Sequence, residues 1–253
     1  MSKAVIVFSG GQDSTTVLGK ALLDGFECFP ISFDYGQKHG IELTQAARII
    51  DRLRGGDHGS RWAASVQPRL LMPMRDFGQL VAPKSALLNN GQNVSEKSVL
   101  SDELPASFVP NRNAMMLTIA HAYAQVVGAD TIWTGVCQTD YSGYPDCRRE
   151  FIQALAYALN TGYKTNISII TPLMDLTKAE TFKLADECGI LDLVIEESHT
   201  CYNGVRSHGD IPTNPPEGSG GGFYDWGHGC GECPACALRA KGWEEFKSMK
   251  RIG

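Results

Sequence analysis

The sequence lacks an excess of basic residues. Its 253 residues include 23 Lys and Arg against 28 Asp and Glu, which gives a formal net charge of −5 and an isoelectric point near 5.7. A protein whose main partner is a nucleic acid usually presents a basic surface. The composition therefore argues against direct nucleic-acid binding and favours a small-molecule substrate.

A long hydrophobic run is also missing. No stretch of about eighteen consecutive apolar residues occurs, and residues 1–3 lead directly into a short apolar segment without the pattern of a signal peptide. We therefore expect a cytoplasmic protein with no membrane partner. In that compartment the eight cysteines are expected to bind metal or to take part in chemistry rather than to form disulfides.

Two common phosphate-binding motifs are absent from the N-terminal region. No lysine follows Gly11 as the Walker pattern G-x-x-x-x-G-K-[ST] requires, and the dinucleotide pattern G-x-G-x-x-G does not occur there.

The length of 253 residues suits one large α/β domain, or such a domain with a small appendage.

What is present is an apolar strand that ends in a glycine turn. Val5–Phe8 is β-branched and aromatic without a polar interruption, which is typical of a strand buried on both faces of a parallel sheet. The glycines at 10–11 permit positive φ and close backbone approach. Residues 13–15 can cap a helix predicted over 15–23, whose N-terminus would attract an anion. We therefore predict a phosphate site; the alternative is an ordinary strand–turn–helix.

The next polar cluster follows a second predicted strand, Cys28–Phe33. Gln37 and His39 lie just after it, at the edge where ligands of open parallel sheets collect. His39 is either a binding residue or a surface histidine that precedes the helix predicted over 41–53.

A third cluster precedes a helix predicted over 114–127, where apolar residues on all sides indicate burial. Pro110 disfavours helix at the residue before it, so Arg112 and Asn113 should lie at the helix N-terminus. There they could reach a nucleotide phosphate or ribose. The alternative is that Asn113 caps the helix while Arg112 is solvated.

An aperiodic segment rich in tyrosine and aspartate, Cys137–Arg148, follows a strand predicted over 131–136. Aromatic faces can stack on a flat polar molecule, and carboxylates can accept hydrogen bonds from its N–H groups. The segment predicts a pocket for such a molecule; the alternative is a stiffened turn. A helix over 149–159 and a strand over 167–170 are predicted next.

Thr177 and Glu180 match a capping box, so a helix should start there and run to Glu187. This places Lys178 in the first turn, where the helix dipole disfavours a cation. Either Lys178 binds a phosphate group of a ligand, or its side chain lies in solvent and destabilises the helix by about a few tenths of a kcal/mol.

The last motif is a group of three cysteines at C-x-x-C-x-x-C spacing, namely Cys230, Cys233 and Cys236. A fourth cysteine, Cys201, lies upstream. This pattern predicts a tetrahedral four-thiolate site, for which zinc is preferred over an iron–sulfur cluster; a redox function is the alternative. The intervening residues 205–229 are rich in Gly and Pro and are predicted to be a flexible excursion.

The loop Ser9-Gly10-Gly11-x-Asp13-Ser14 resembles the pyrophosphate loop of the N-type ATP pyrophosphatases. Almost the whole chain resembles one family within them, the 7-cyano-7-deazaguanine synthases (QueC family) of queuosine biosynthesis. The segments that carry this resemblance are Phe8–Ser14, Asp34–His39, Val109–Asn113, Asp140–Arg148, Lys178-x-Glu180 and Cys201–Gly204 with the three later cysteines.

The resemblance implies a Rossmann-like α/β fold, with a parallel sheet and helices on both faces, over residues 1–198. Residues 199–253 would form a zinc-binding segment, packed on the same domain, with an insert over 205–229. It further implies an ATP-dependent carbon–nitrogen ligase that converts 7-carboxy-7-deazaguanine and free ammonia to 7-cyano-7-deazaguanine through an acyl adenylate and an amide. AMP and pyrophosphate would be released, and the assembly would be a homodimer.

The resemblance also assigns residues to roles. Asp13, with magnesium, Lys178 and Arg112 would be catalytic, and one structural zinc would be held by Cys201, Cys230, Cys233 and Cys236. The ATP-binding residues would be Phe8, Ser9, Gly10, Gly11, Gln12, Asp13, Ser14, Thr15, Thr16, Val17 and Leu18. The substrate-binding residues would be Gln37, His39, Asn113, Asp140, Tyr141, Ser142, Tyr144, Asp146 and Arg148.

Two departures from the family pattern leave alternatives open. Asn111 stands where many members carry glycine, and the insert over 205–229 replaces a short turn. A homologue that transfers the deazapurine to another acceptor, or a tRNA-modifying pyrophosphatase of the thiolation or lysidine type, shares the loop. A non-catalytic zinc module would explain the cysteines but not the loop.

Overall fold

The computed structural model of the protein describes residues 1–37, 40–55, 59–88, 98, 100, 104–139, 144–206 and 221–252. At its centre five parallel strands lie in the order β3-β2-β1-β4-β5. Their bounds are β1 Lys3–Val7, β2 Glu27–Asp34, β3 Leu70–Pro73, β4 Thr131–Trp133 and β5 Ser168–Ile170.

Helices cover both faces of this sheet. One face packs on α1 (Gln12–Leu23), α2 (Ile41–Gly55), α7 (Lys178–Glu187), α8 (Leu191–Glu197) and α9 (Pro234–Ile252). The other face packs on α5 (Arg112–Val127) and α6 (Arg149–Tyr163). The short helices α3 (Gly59–Trp62) and α4 (Arg75–Val81) lie in a region where no helix was predicted. Helices on both faces of a parallel sheet confirm the predicted fold class. No described helix has both the length and the apolar composition that crossing a membrane requires.

The central strand β1 shows why the sheet is covered twice. Ala4 and Ile6 belong to the core beneath α1 and α7, whereas Val5 belongs to the core beneath α5. All three are fully buried. Because successive side chains of a strand point to opposite faces, an unbroken apolar run requires both faces to be covered. The prediction from Val5–Phe8 is therefore confirmed.

The strand order also fixes where a ligand can enter. From β1 the chain moves outward to β2 and β3, and it then returns to the other side of β1 with β4 and β5. Loops that leave the carboxyl ends of β1 and β4 therefore diverge and open a crevice between them. The glycine turn follows β1, so the fold directs it to this crevice.

The first helix differs from its prediction. It begins at Gln12, three residues before the predicted start at Thr15, and Gly11 is its N-cap without any side-chain cap. Residues 13–15 therefore lie in the first turn and do not cap it. Gly11 has φ −79, so positive φ in the turn is confined to Gly10, at +83.

Residues 205–229 were predicted to be a flexible excursion, and for their described C-terminal part this prediction is wrong. An antiparallel hairpin, β6 (Gly222–Tyr224) with β7 (Gly227–Gly229), ends the segment. Phe223 and Trp226 are buried, and the rings of Tyr224 and Trp226 stack with centroids 4.4 Å apart. These aromatics bury apolar surface that the glycine-rich composition obscured. Residues 207–220 lie outside the described residues.

The C-terminal helix α9 packs against α7. Phe182 of α7 stacks with Phe246 of α9 and makes an edge contact with Trp243, at centroid distances of 6.0 and 5.1 Å. These side chains share one hydrophobic core with α1 and β1. A boundary between residues 198 and 199 stays a prediction, since residues on both sides of it contribute to this core.

Candidate functional site

A cavity of about 430 Å³ opens at the carboxyl ends of β1 and β4. This volume lies in the range of small-molecule sites. One side, which we call the loop wall, consists of the turn Ser9–Ser14 and Lys178. The opposite side, which we call the tyrosine wall, consists of Tyr35, Tyr144, Tyr202 and Arg112. The two walls bring together residues that are more than 190 positions apart in the chain.

The loop wall is held by Ser14. Its Oγ accepts hydrogen bonds from the backbone N–H groups of Gly10 at 3.1 Å and Ser9 at 3.3 Å. The Thr15 hydroxyl donates to the Gly11 carbonyl at 2.8 Å. These contacts form within one strand–turn–helix, so the turn is shaped before a ligand binds.

Gly10 is required by its neighbours. Its φ of +83 disfavours any residue with a Cβ, and a Cβ built there would lie 2.7 Å from the backbone N of Ala46 and 2.9 Å from the carbonyl O of Glu42. The first turn of α2 therefore packs directly on the glycine turn. Gly10 therefore permits both the close approach of the two backbones and the positive φ of the turn.

Lys178 has an ionic partner in the protein. Its Nζ donates to both carboxylate oxygens of Asp13, at 2.7 and 2.8 Å, and its side chain is only 9% exposed. Thr177 and Glu180 form the predicted capping box, so α7 starts where the sequence indicated. The unfavourable position of Lys178 at a helix N-terminus is thus offset by Asp13 at the N-terminus of α1. A contact of Lys178 with phosphate stays a prediction.

The tyrosine wall is centred on Arg112, the first residue of α5. Its guanidinium interacts electrostatically with the hydroxyl of Tyr35. Burial alone would lower the pKa of Arg112, but the neighbouring Tyr35, Tyr144 and Asp146 outweigh burial and raise it. Arg112 therefore carries a permanent positive charge on this wall.

Asn111, which precedes Arg112, has the left-handed conformation with φ +57. Asparagine tolerates this conformation better than most residues. The departure at Asn111 therefore preserves the backbone that glycine would also permit.

The tyrosines of this wall are neutral hydrogen-bonding groups. The hydroxyls of Tyr144 and Ser107 lie 2.6 Å apart, and Tyr144 also interacts with the phenol of Tyr202. Burial raises the pKa of both Tyr35 and Tyr202 above its ordinary value. Each phenol therefore keeps its proton at neutral pH, as recognition of a flat polar molecule requires.

Glu42 lies between the walls, in the first turn of α2. Burial raises the pKa of its carboxyl to about 7; Arg112 opposes this shift and Cys201 adds to it. Glu42 and Asp13 are the carboxylic acids among the described residues that line the cavity. Glu42 thus changes charge near neutral pH, whereas Asp13 is engaged by Lys178.

The structure gathers part of the predicted site into the cavity. The predicted residues that line it are Phe8, Ser9, Gln12, Asp13, Ser14, Gln37, Arg112, Asn113, Tyr144 and Lys178. Thr15, Thr16, Val17 and Leu18 are buried within α1, behind the glycine turn. His39, Asp140, Tyr141 and Ser142 lie outside the described residues.

Two further predicted residues have other contacts. Asp146 is buried, and its Oδ2 accepts a hydrogen bond from the backbone N–H of Asn113 at 3.3 Å. It therefore supports the start of α5. Arg148 is exposed at the N-cap of α6. Neither residue is among those that line the cavity, and a substrate contact for either stays a prediction.

Among the cavity residues that sequence reasoning missed are Tyr35, Glu42, Tyr202 and Arg239. Tyr35 and Tyr202 stood within quoted motifs, but nothing in their spacing indicated burial against Arg112. Glu42 had the pattern of an ordinary acidic residue in a helix's first turn. The signal for Arg239 was its position three residues after Cys236, on an amphipathic helix whose packing the sequence did not reveal.

The four cysteines converge as predicted. The sulfur atoms of Cys201, Cys230, Cys233 and Cys236 all lie within 4.8 Å of one another, and all four residues are buried. The backbone N–H groups of Cys233 and Glu232 point at the Cys230 sulfur, at 3.2 and 3.4 Å. Four converging sulfurs with N–H donors could hold a tetrahedral thiophilic metal, and the predicted convergence of the four cysteines is confirmed.

Comparison with known proteins adds to this geometry. A family model described as "Queuosine biosynthesis protein QueC" matches residues 3–247. The chain is 47% identical over 248 residues to the 7-cyano-7-deazaguanine synthase of Wolinella succinogenes, covering 98% of this chain and 94% of the relative. It is 42% identical over 246 residues to that of Helicobacter pylori strain Shi470, covering 97% of each.

A solved structure of a 4-thiouridine synthetase with RNA and bound ATP is similar over 77% of this chain and 42% of that chain, at 20% identity and a TM-score of 0.48. No argument about function rests on a likeness at that level.

Proposed function

The chain belongs to the QueC family of queuosine biosynthesis proteins, and from this premise we propose that it is a 7-cyano-7-deazaguanine synthase. The enzyme joins ammonia to 7-carboxy-7-deazaguanine at the expense of ATP. The acid's carboxylate attacks the α-phosphorus and releases pyrophosphate, ammonia displaces AMP to give the amide, and a second adenylation followed by loss of AMP gives the nitrile.

One observation carries the proposal most directly. A single cavity joins a preformed glycine turn, with its Asp13–Lys178 pair, to a wall of buried and partly buried tyrosines around Arg112. The first wall has the chemistry to bind a polyphosphate, and the second has the chemistry to bind a flat polar acid. A reaction between ATP and a heteroaromatic carboxylate requires both in one cavity.

On the loop wall, the N-terminus of α1, which directly follows the glycine turn, would bind the β- and γ-phosphates. Lys178 would exchange its Asp13 partner for pyrophosphate oxygens, and Asp13 would then be free to bind the magnesium that accompanies ATP. Because the substrate brings its own nucleophile, the protein acts by positioning groups and by stabilising charge at the α-phosphorus.

On the tyrosine wall, Arg112 would offset the repulsion between the substrate carboxylate and the α-phosphate, since both are anions. Tyr35, Tyr144, Tyr202, Gln37 and Asn113 would read the deazaguanine. His39, Asp140, Tyr141, Ser142, Asp146 and Arg148 remain proposed substrate-binding residues because the matching family motif includes them.

The four cysteines would hold one structural zinc ion, since four thiolates leave no open position for a substrate. This zinc would hold the start of α9 and supply no step of the reaction. We also propose that the enzyme is a cytoplasmic homodimer, that free ammonia is its nitrogen donor, and that it does not bind nucleic acid directly.

The test is nucleotide analysis with and without the acid. We expect AMP and pyrophosphate to form only when 7-carboxy-7-deazaguanine is present. We expect the nitrile to form when ammonia is also added. Lys178→Met should lower this turnover about 100-fold or more, because it removes a charge that acts on the leaving group. Lys183→Met is the matched control, since Lys183 is an exposed lysine on the same helix that pairs with Glu187.

Two results would count against the proposal. One is AMP formation that depends on tRNA and not on the acid, which would favour the tRNA-modifying alternative. The other is an equal loss of turnover in both lysine variants, which would mean that Lys178 acts only through helix stability.

A further inference from the structure

Arg239 is a buried cation whose hydrogen bonds all go to neutral groups. Its side chain is 1% exposed. Its Nε donates to the Trp226 carbonyl at 2.8 Å, its Nη1 to the Thr200 hydroxyl at 2.8 Å, and its Nη2 to the Val194 carbonyl at 2.9 Å. No carboxylate of a described residue forms an ion pair with it.

The fold makes room for this guanidinium at a specific place. Gly227 has φ +114, and a Cβ built there would lie 2.5 Å from Nη2 of Arg239. Thr200, which accepts from Nη1, directly follows His199, whose N–H donates to the Gly10 carbonyl at 3.0 Å. Arg239 therefore contacts the segment that packs on the back of the glycine turn.

Arg239 also lines the same cavity as Ser9, Asp13 and Lys178. Its charged neighbours are Asp13 and Cys236, and Arg206 is a like charge that repels it. Asp13 already accepts from Lys178 through both carboxylate oxygens. The described lining of the cavity therefore contains, beside the paired Lys178, a buried cation, Arg239, that has no carboxylate of its own.

Burying a charge without a counter-charge is costly, and proteins retain such groups mainly where a ligand or a partner supplies the opposite charge. A polyphosphate bound by the glycine turn would supply it. The cysteine centre is the competing explanation, since four thiolates around a divalent ion keep a net negative charge.

We infer that Arg239 is a further ATP-binding residue, which offsets the charge of the bound polyphosphate from beneath the glycine turn while the four-cysteine centre and α9 hold it in place. This inference rests on the proposed binding of ATP at that turn. It makes the C-terminal segment part of the nucleotide site, whereas a purely structural metal segment would leave nucleotide affinity unchanged.

The test compares Arg239→Gln and Arg239→Lys with Lys247→Gln, which removes a half-exposed positive charge from the same helix. The affinities of ATP and of AMP are measured separately by calorimetry, and zinc content is measured by elemental analysis. We expect Arg239→Gln to weaken ATP binding about 10- to 100-fold, because it removes a buried charge that offsets the charge of the polyphosphate. AMP affinity and zinc content should stay close to those of the wild type, and Lys247→Gln should change neither affinity.

Measuring ATP and AMP separately distinguishes the loss of an interaction with the polyphosphate from general damage to the site. General damage would lower the affinity of both nucleotides. Arg239→Lys keeps the charge but cannot reach three acceptors, so ATP affinity should fall less in it than in the Gln variant. If Arg239→Gln does not fold, a loss of ATP affinity in Arg239→Lys without a loss of AMP affinity supports the inference.

Equal ATP affinity in the wild type and in the folded variant would overturn the inference. Loss of zinc from the Gln variant at unchanged ATP affinity would also overturn it, by assigning Arg239 to the thiolates. If the wild-type protein binds no ATP, the proposed function itself is wrong, whatever the variants show.

Discussion

The two walls of the cavity are built in different ways. The loop wall comes mainly from one strand–turn–helix, its contacts are largely backbone ones, and its ionic groups Asp13 and Lys178 are already paired. The tyrosine wall comes from side chains that follow β2, precede α6, start α5 and adjoin Cys201. Here neutral phenols surround one permanent cation, Arg112.

This difference indicates how each wall would respond to its ligand. On the loop wall, the proposed binding of ATP would displace an existing ion pair, so it would exchange one ionic contact for another. On the tyrosine wall, the hydroxyls keep their protons and can read a neutral heteroaromatic ring without a change in charge. Substitutions on the loop wall should therefore alter nucleotide chemistry, and those on the tyrosine wall should alter recognition of the acid.

The largest effect is expected where the loop wall depends on the metal-binding cysteines. Cys236→Ala removes one of four converging sulfurs at the start of α9, the helix that packs on α7 next to Lys178. A structural zinc site contributes on the order of 10 kcal/mol to folding in small domains. We therefore expect lost zinc, a much lower unfolding temperature and no nucleotide binding.

Cys188→Ala is the matched control for that variant. Cys188 is equally buried but lies outside the cluster. Replacing it should cost about 1 kcal/mol and leave zinc content unchanged. Full zinc retention by Cys236→Ala would contradict the assignment of the cluster.

The next effect isolates the glycine turn. Gly10→Ala places a Cβ 2.7 Å from the Ala46 backbone at a φ of +83. Gly25 has the same φ of +83 but nothing within 4 Å. The left-handed conformation alone should cost about 1–2 kcal/mol in Gly25→Ala, and Gly10→Ala should cost clearly more and also lose ATP binding. Equal unfolding free energies of the two variants, with ATP binding retained, would mean that α2 does not constrain the turn.

The glycine turn also shows what a sequence can predict. Its strand, its glycines and its polar first turn lie within twelve consecutive residues, so a local pattern was enough to predict the strand–turn–helix that lines the cavity, and phosphate binding there stays a prediction. The capping box at Thr177 and the cysteine spacing are equally local, and both are confirmed.

The rest of the site depends on long-range packing. The pairing of Lys178 with Asp13 joins helices 165 residues apart in the chain. The burial of Tyr202 against Tyr144, and of Arg239 beneath the turn, follows from how α9 and the hairpin dock. The glycine content of residues 205–229 favoured the prediction of a flexible excursion and not of a hairpin. Composition does not reveal which aromatic side chains will pack against one another.

A pH-dependent effect should appear at Glu42, between the walls. Burial raises the pKa of its carboxyl from 4.5 to about 7 in the folded protein. Stability from the protonated form is therefore fully present below the unfolded pKa, and it is lost as pH rises through the folded pKa. Glu42→Gln cannot ionise, so its stability relative to the wild type should increase between pH 5 and 8, by about 1–3 kcal/mol after discounting for solvent in the cavity.

Denaturant unfolding of both proteins without nucleotide checks this prediction. Excess zinc in both samples keeps the cysteine centre the same, so that its titration cancels from the difference. A constant difference in unfolding free energy between pH 5 and 8 would contradict the buried, ionisable position of Glu42.

The smallest effect should come from single hydroxyls of the tyrosine wall. Tyr202→Phe removes the hydroxyl that interacts with Tyr144 and lines the cavity, and one polar contact of this kind is worth about 1 kcal/mol. We expect the KM for the acid to rise about 5- to 10-fold while ATP affinity stays constant. Tyr157→Phe is the control, since Tyr157 is 76% exposed on α6. If Tyr202→Phe weakened ATP and left the acid unaffected, the roles of the two walls would be reversed.

The central claim is that an oxygen of the acid attacks the α-phosphorus while the loop wall holds the departing pyrophosphate. Mass spectrometry of AMP formed from acid labelled with ¹⁸O in both carboxylate positions tests it most directly. The account predicts that two AMP molecules are released for each nitrile, and that each contains one oxygen from the acid. Unlabelled AMP, or ADP as the nucleotide product, would contradict it.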